Sequence, residues 1–164
     1  MSGPDPADRE GHPVEAVREA RPADRDRLTE LVAELAQTVR SQRGGAMLVD
    51  GGSATGPLAA LVDGARSRVM VGTLDGSVVG IAAAHLDGVE VVTPRAVLDA
   101  CYVEPAARGL GLGRLLLDAV LAWALEQGCG GVDGAALPGD RLAKNFYEAA
   151  GFKARVLTMY RSTG

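Results

Sequence analysis

The sequence predicts an α/β fold, with a mixed central sheet carrying helices on both faces. Three observations predict it. In the first half, β-type runs at residues 68–74 and 78–86 are joined by Asp75-Gly76, a dipeptide suited to the two-residue turn of an antiparallel hairpin. In the second half, strand-type and helix-type segments alternate, the order that a parallel connection requires. Before the hairpin, Leu28, Leu31, Val32, Leu35 and Val39 recur at helical spacing.

The elements follow in order. Residues 1–13 lack an apolar period and are rich in Pro, Gly and charge, so they read as a disordered tail; residues 14–164 read as one domain. Residues 14–20 alternate weakly and predict a first strand. Pro22 suits a helix start, and that helix stops before Gly44-Gly45. Residues 51–56 are a loop and 57–62 a short second helix. After the hairpin, residues 87–94 form a connection. Residues 97–103 make a third internal strand, ended by Pro105. The helix predicted over 111–127 carries Leu115, Leu116, Leu117, Val120, Leu121, Trp123 and Leu125, which predicts burial on more than one side, with Trp123 in the core. Gly128, Gly130 and Gly131 end it, and residues 132–137 form a fourth internal strand. Asp140 caps a shorter helix whose Leu142, Phe146, Ala149 and Ala150 face the core, and Gly151 terminates it. Residues 154–160 close the fold as a strand.

Composition narrows the function. A chain of 164 residues with 47% hydrophobic content can bury one real core. Its formal net charge of −4 offers no basic surplus to neutralise phosphates, which argues against nucleic acid as a partner. No apolar stretch approaches a membrane span, and the polar start resembles neither a secretory signal nor a transit peptide; a cytoplasmic protein is the expectation. Cys101 and Cys129 have no metal-ligand spacing, so two buried thiols are expected rather than a disulfide framework or a metal site.

The chemistry concentrates at Val103-Glu104-Pro105-Ala106-Ala107-Arg108-Gly109-Leu110-Gly111-Leu112-Gly113-Arg114. A strand feeds a Pro-ended turn, the turn holds three glycines at spacing two, and a long helix starts there. The first amides of a helix have no internal partners and attract an anion. Glycines let that anion approach the backbone, and Arg108 or Arg114 can add a charge-assisted bond to a phosphate oxygen. The dinucleotide fingerprint GxGxxG fails because Arg114 occupies its last glycine. The triphosphate loop fails because no Gly-Lys-Ser/Thr follows.

This arrangement resembles the GNAT acetyltransferase family, whose main signature is V-x-P-x-x-R/Q-G-x-G-x-G/A between a strand and a helix. Residues 103–113 meet it at every defining position. A second family element, N-x-x-A-x-x-F/L-Y-x-x-x-G-F, is similar to Asp140-Arg141-Leu142-Ala143-Lys144-Asn145-Phe146-Tyr147-Glu148-Ala149-Ala150-Gly151-Phe152, with Asp140 where Asn is usual. The resemblance covers residues 65–164 well and the N-terminal helices by order and length.

The resemblance implies a GNAT-like N-acyltransferase fold, with a mixed, largely antiparallel sheet flanked by helices. It implies acetyl-CoA as co-substrate and no metal. The amides of Gly109, Leu110, Gly111, Leu112, Gly113 and Arg114 would cradle its pyrophosphate. The backbone of Cys101 and Val103 would bind the pantetheine arm and polarise the thioester carbonyl, with Asp140 beside the cofactor. Tyr147, from periodicity alone a core aromatic, would be the general acid for the departing thiolate. Many relatives are dimers, so a homodimer is an open expectation.

The acceptor is less legible. The resemblance favours a primary amine of a small molecule or peptide, with residues 44–56 and 87–95 shaping its pocket. An alkylammonium must lose its proton at a cost of about 4–5 kcal/mol near pH 7, so a base is needed. Asp99, which shares strand parity with Cys101 and Val103, is the candidate; Glu104 reads as a solvated turn residue, His85 as a strand-end residue, and His12 belongs to the tail. Cys101 lacks a clear His partner for a nucleophilic role. The rival readings are a non-catalytic acyl-CoA sensor on the same fold and, more remotely, another phosphate binder.

Overall fold

The computed structural model describes residues 14–50, 64–88, 93–161 and 163; the N-terminal tail, the 51–56 loop and the 57–62 helix expected from sequence lie outside them. The elements are β1 (Glu15–Glu19), α1 (Arg25–Arg40), α2 (Gly45–Asp50), β2 (Ser67–Leu74), β3 (Ser77–Asp87), β4 (Arg95–Val103), α3 (Leu112–Glu126), β5 (Val132–Gly134) and α4 (Arg141–Ala149). The five strands form one sheet in sequence order. Every pairing is antiparallel except β4 with β5, which is parallel and connected through α3. The sheet is therefore mixed and largely antiparallel, as the sequence predicts.

Each face of the sheet buries one helix. On one side Leu28, Leu31 and Val32 of α1 pack on Val69, Val71, Ile81, Ala83, Ala100 and Tyr102. On the other, Leu112, Leu116, Leu117, Val120, Trp123 and Ala124 of α3 pack on Ala82, Ala84, Ala96, Leu98 and Val103. From Ile81 to Ala84 β3 alternates between these cores, so its central residues are buried on both faces; a register shift opposite Gly72 and Thr73 places Val79 out of that order, in the α3 core. Each fully buried leucine contributes roughly 1.5–3 kcal/mol relative to an exposed one. Asp75 and Gly76 both take positive φ, the geometry of the tight hairpin turn.

Four expectations are corrected. Helix α3 buries a single stripe, since Leu115 and Leu125 fall on its opposite side and remain exposed. Strand β5 stops at Gly134 rather than running to residue 137. Leu142 of α4 is 82% exposed, because that helix packs through Phe146 and Tyr147 in its second half and Ala150 just beyond its end. Residues 154–160 form no strand: the sheet ends at β5, and an ion pair from Arg155 to Asp133 at 2.9 Å ties the segment to it. Sequence reasoning also passed over the short helix α2.

Candidate active site

Pro105 opens a 3-10 turn (Pro105–Ala107) that ends β4 and leads into the glycines. The turn is anchored at both ends by buried Ala107 and Leu112, while residues 108–111 lie on the surface between them. Gly109 and Gly111 have φ of +86° and +91°, a conformation that strains any residue with a Cβ. Nothing stands within 4 Å of where a Cβ would project from either, so the backbone is open to a ligand there.

The amides of Gly109, Leu110, Gly111, Leu112 and Gly113 make no hydrogen bond among the described residues. Five consecutive unpaired donors at the start of α3, with the positive end of its dipole, form a cradle for an anion. The Arg114 amide, expected in the same set, donates instead to the Gly111 carbonyl at 2.9 Å. The arginine side chains are also committed. Arg108 Nε donates to the Val103 carbonyl at 2.8 Å with its guanidinium over the Tyr102 ring. Arg114 bonds Asp118 Oδ1 at 2.8 Å and the Ala149 carbonyl at 3.2 Å.

Beside the cradle the sheet splits. β4 pairs with β5 at Ala96, Val97 and Leu98, the last opposite Gly134, and then runs on alone to Val103. The Glu104 amide donates to the Val79 carbonyl, so alternation turns Tyr102 toward β3 and leaves the backbone of Cys101 and Val103 on the open edge. These are the two positions expected to bind the pantetheine arm.

Helix α4 closes the open side. Asp140 caps it, with Oδ1 accepting the Ala143 amide at 2.9 Å. The Tyr147 ring lies between Phe146 and Phe152, at centroid distances of 5.5 and 5.2 Å, and against Gly134 where β5 ends. Burial above all, with the negative charge of Asp140 adding to it, pushes the Tyr147 phenol well above its ordinary value, so it keeps its proton. No protein group bonds the phenol oxygen among the described residues. Burial pushes the Cys101 thiol up to about 12, and the thiol faces the Gly113 carbonyl at 3.9 Å, which makes it a poor nucleophile.

Asp99 does not share a face with the Cys101 and Val103 side chains. A register shift between Ala83 and Ala84 skips it in the β3–β4 ladder, and the bulge turns it toward the α1 side. There its Oδ2 lies 2.7 Å from Nδ1 of His85, the histidine that sequence reasoning set aside. Burial raises the Asp99 carboxyl, and the bond to His85 pulls it back. Glu104, expected to be solvated, pairs with Arg27 of α1. The turn at Gly44 approaches the Leu137 side chain, so the loop after α1 meets the segment after β5 on this face.

Among the described residues no helix is long and apolar enough to cross a membrane, and no group of three or more His, Cys, Asp or Glu could hold a metal ion. The profile of the Acetyltransferase (GNAT) family matches residues 53–152. Among curated proteins none matches the chain. Solved structures share the fold. One is the aminoglycoside N-acetyltransferase AAC(6')-Iy, in complex with the bisubstrate analogue CoA-S-monomethyl-acetylneamine (TM-score 0.66, 21% identity, 92% of this chain and 99% of that one). Another is a possible acetyltransferase from Clostridium difficile 630 (TM-score 0.70, 19% identity, 92% and 97%). A third is a transcriptional regulator from Bacillus halodurans C-125 (TM-score 0.67, 21% identity, 90% and 100%).

Proposed function

This chain belongs to the acetyltransferase (GNAT) family, and from that premise we propose that it transfers an acetyl group from acetyl-CoA to a primary amine of a small molecule or peptide by direct attack. The observation that carries the reading is the continuity of the five unpaired amides, Gly109 to Gly113, with the open edge of β4 at Cys101 and Val103 and with the Tyr147 phenol. The cradle suits the pyrophosphate of CoA and the open edge suits its pantetheine arm. The AAC(6')-Iy complex, with its CoA-linked bisubstrate analogue, supports this choice of donor.

In this reading the amine nitrogen attacks the thioester carbonyl and forms the C–N bond. The oxyanion of the tetrahedral intermediate is stabilised by backbone N–H on the open edge of β4. Its collapse breaks the C–S bond, and the Tyr147 hydroxyl gives its proton to the departing thiolate. Burial pushes the Cys101 thiol up to about 12, which disfavours an acyl-enzyme route and supports direct attack. Asp99, at the point where β4 and β5 part, supplies the negative charge that helps the amine lose its proton.

The test is calorimetric titration with acetyl-CoA, comparing wild type with Gly111→Glu. Binding by the wild type and its loss in the variant are expected; equal binding by both overturns the pyrophosphate site. Thiol release from acetyl-CoA with polyamines, aminoglycosides, amino acids and peptides separates an enzyme from an acyl-CoA sensor, which would bind and release nothing.

A further inference from the structure

His85 and Asp99 stand on neighbouring strands and form a pair that the sequence does not announce. His85 alternates with Ala82 and Ala84 and so projects on the α1 side of β3. Asp99 reaches the same side through the bulge in β4. Their separation, Nδ1 to Oδ2, is 2.7 Å, and the two side chains differ in access: the carboxylate is 12% exposed and the imidazole 44%. Nε2 has no protein partner among the described residues. A carboxylate buried behind an imidazole fixes the proton on Nδ1 and leaves Nε2 facing solvent as an acceptor.

The position fits a role in the transfer. Asp99 is the first residue of β4 beyond its last pair with β5, Leu98 with Gly134. It lies two residues, about 7 Å of strand, from Cys101. The face is opposite the one that carries α3 and the glycine turn, so a donor entering from the turn and an amine entering from the α1 side meet at the open edge. Among the described residues, the charged groups that flank the pair on its own strands are engaged elsewhere: Asp87 and Arg95 pair with each other, and Arg66 binds the Leu86 and Gly88 carbonyls. From α1, Glu34 accepts from Tyr102 further along β4, and Arg27 bonds Val78 and Glu104 at the far end of β3. Ser67, opposite His85 on β2, adds no charge.

We propose that His85 Nε2 takes the proton of the acceptor ammonium, directly or through one water, and that Asp99 is the positioning residue that holds the ring for it. The inference rests on the acetyltransferase reading. The proton moves from nitrogen to Nε2, the freed lone pair forms the C–N bond, the C–S bond breaks, and the thiolate takes a separate proton from Tyr147. The second proton of the acylated nitrogen is shed as the amide forms and restores the Tyr147 hydroxyl through solvent, and the imidazolium returns its proton to solvent.

The test uses acetyl-CoA with the amines of the panel and, in parallel, hydroxylamine, a nucleophile already neutral at pH 7. For an alkylamine that the wild type acetylates, His85→Ala should lower kcat/KM by about 100-fold with acetyl-CoA affinity unchanged, and added imidazole should restore part of the loss. With hydroxylamine the same variant should lose less than about threefold. Asp99→Asn should show the same dependence on the acceptor and shift the 15N resonance of His85 Nδ1. Wild-type rates in His85→Ala, or equal losses with both nucleophiles and no rescue, overturn the proposal while the acetyltransferase reading stands. A wild type that acetylates no amine overturns that reading and this proposal together.

Discussion

The Tyr147 ring lies on Gly134: a Cβ added to that glycine would stand 3.2 Å from two ring carbons. The absence of a side chain at the last residue of β5 lets the phenol reach the point where the sheet opens. Two variants separate the hydroxyl from its placement. Tyr147→Phe keeps the ring and removes the proton donor, so kcat should fall by about 100-fold with acetyl-CoA affinity nearly unchanged. Gly134→Ala keeps the donor and pushes the ring by a few tenths of an ångström, so kcat should fall by several-fold. Thiol-release kinetics beside calorimetry check both, and a Tyr147→Phe enzyme with wild-type kcat would remove the acid role.

Neighbouring glycines of the turn should respond differently to the same change. Gly111 has a φ of +91°, so Gly111→Ala forces a side chain into a strained conformation and distorts the cradle. The cost is roughly 1–2 kcal/mol, and acetyl-CoA affinity should fall about tenfold. Gly113 lies inside α3, and a Cβ there meets Phe146 at 3.6 Å and Val103 at 3.8 Å, which are ordinary contacts. Gly113→Ala should bind acetyl-CoA within about twofold of wild type. Equal losses from both variants would count against the open-backbone account of the cradle.

That contrast shows which parts of the site are legible in sequence. The glycine turn and the Asp75-Gly76 hairpin are local, because a few adjacent residues set the backbone geometry and carry the signal. The edge of β4 at Cys101 and Val103 is legible only through the family resemblance, because which backbone groups a neighbouring strand leaves unpaired carries no side-chain signal. The His85–Asp99 pair is not, because it depends on one skipped residue in the β3–β4 register, and a bulge leaves no mark in a strand-type run such as Val97-Leu98-Asp99-Ala100. Hydrophobicity alone likewise misplaces side chains. Leu125 and Leu142 suit a core by type, but the first lies off the buried stripe of α3 and the second precedes the contacts of α4. Residues 154–160 have a strand's composition and form none although β5 ends the sheet, so side-chain type alone does not place a strand.

Cys101 offers a check on direct attack. Its thiol, pushed up to about 12 by burial, is neither ionised at neutral pH nor paired with a base. Cys101→Ala should therefore retain at least about a third of wild-type kcat, since the backbone that binds the donor is unchanged. Wild-type enzyme incubated with acetyl-CoA alone should show no added acetyl group in its intact mass. A stable acetyl adduct on Cys101, or an inactive Cys101→Ala that still binds acetyl-CoA, would establish a covalent route.

Acid stability should report on the N-terminal end of the domain. Arg18 of β1 holds Asp24 through two bonds, Nη1 to Oδ2 at 2.7 Å and Nη2 to Oδ1 at 2.9 Å, and the Arg21 amide adds a third at 2.7 Å. The Arg18 side-chain bond is the largest cause of lowering the Asp24 carboxyl to about 2 from its ordinary 3.8. A carboxyl lowered on folding stabilises the folded state above its unfolded value and loses that contribution as pH falls through its folded value. The window here is about pH 4 down to about pH 2. Solvent around Arg18 screens the pair, so the contribution is about 1–2 kcal/mol. Asp24→Asn should lose that amount at pH 7 in urea unfolding, and its deficit against wild type should shrink toward zero as pH approaches 2. A deficit that stays constant across that window would assign the effect of Asp24 to its hydrogen bonds rather than to its charge.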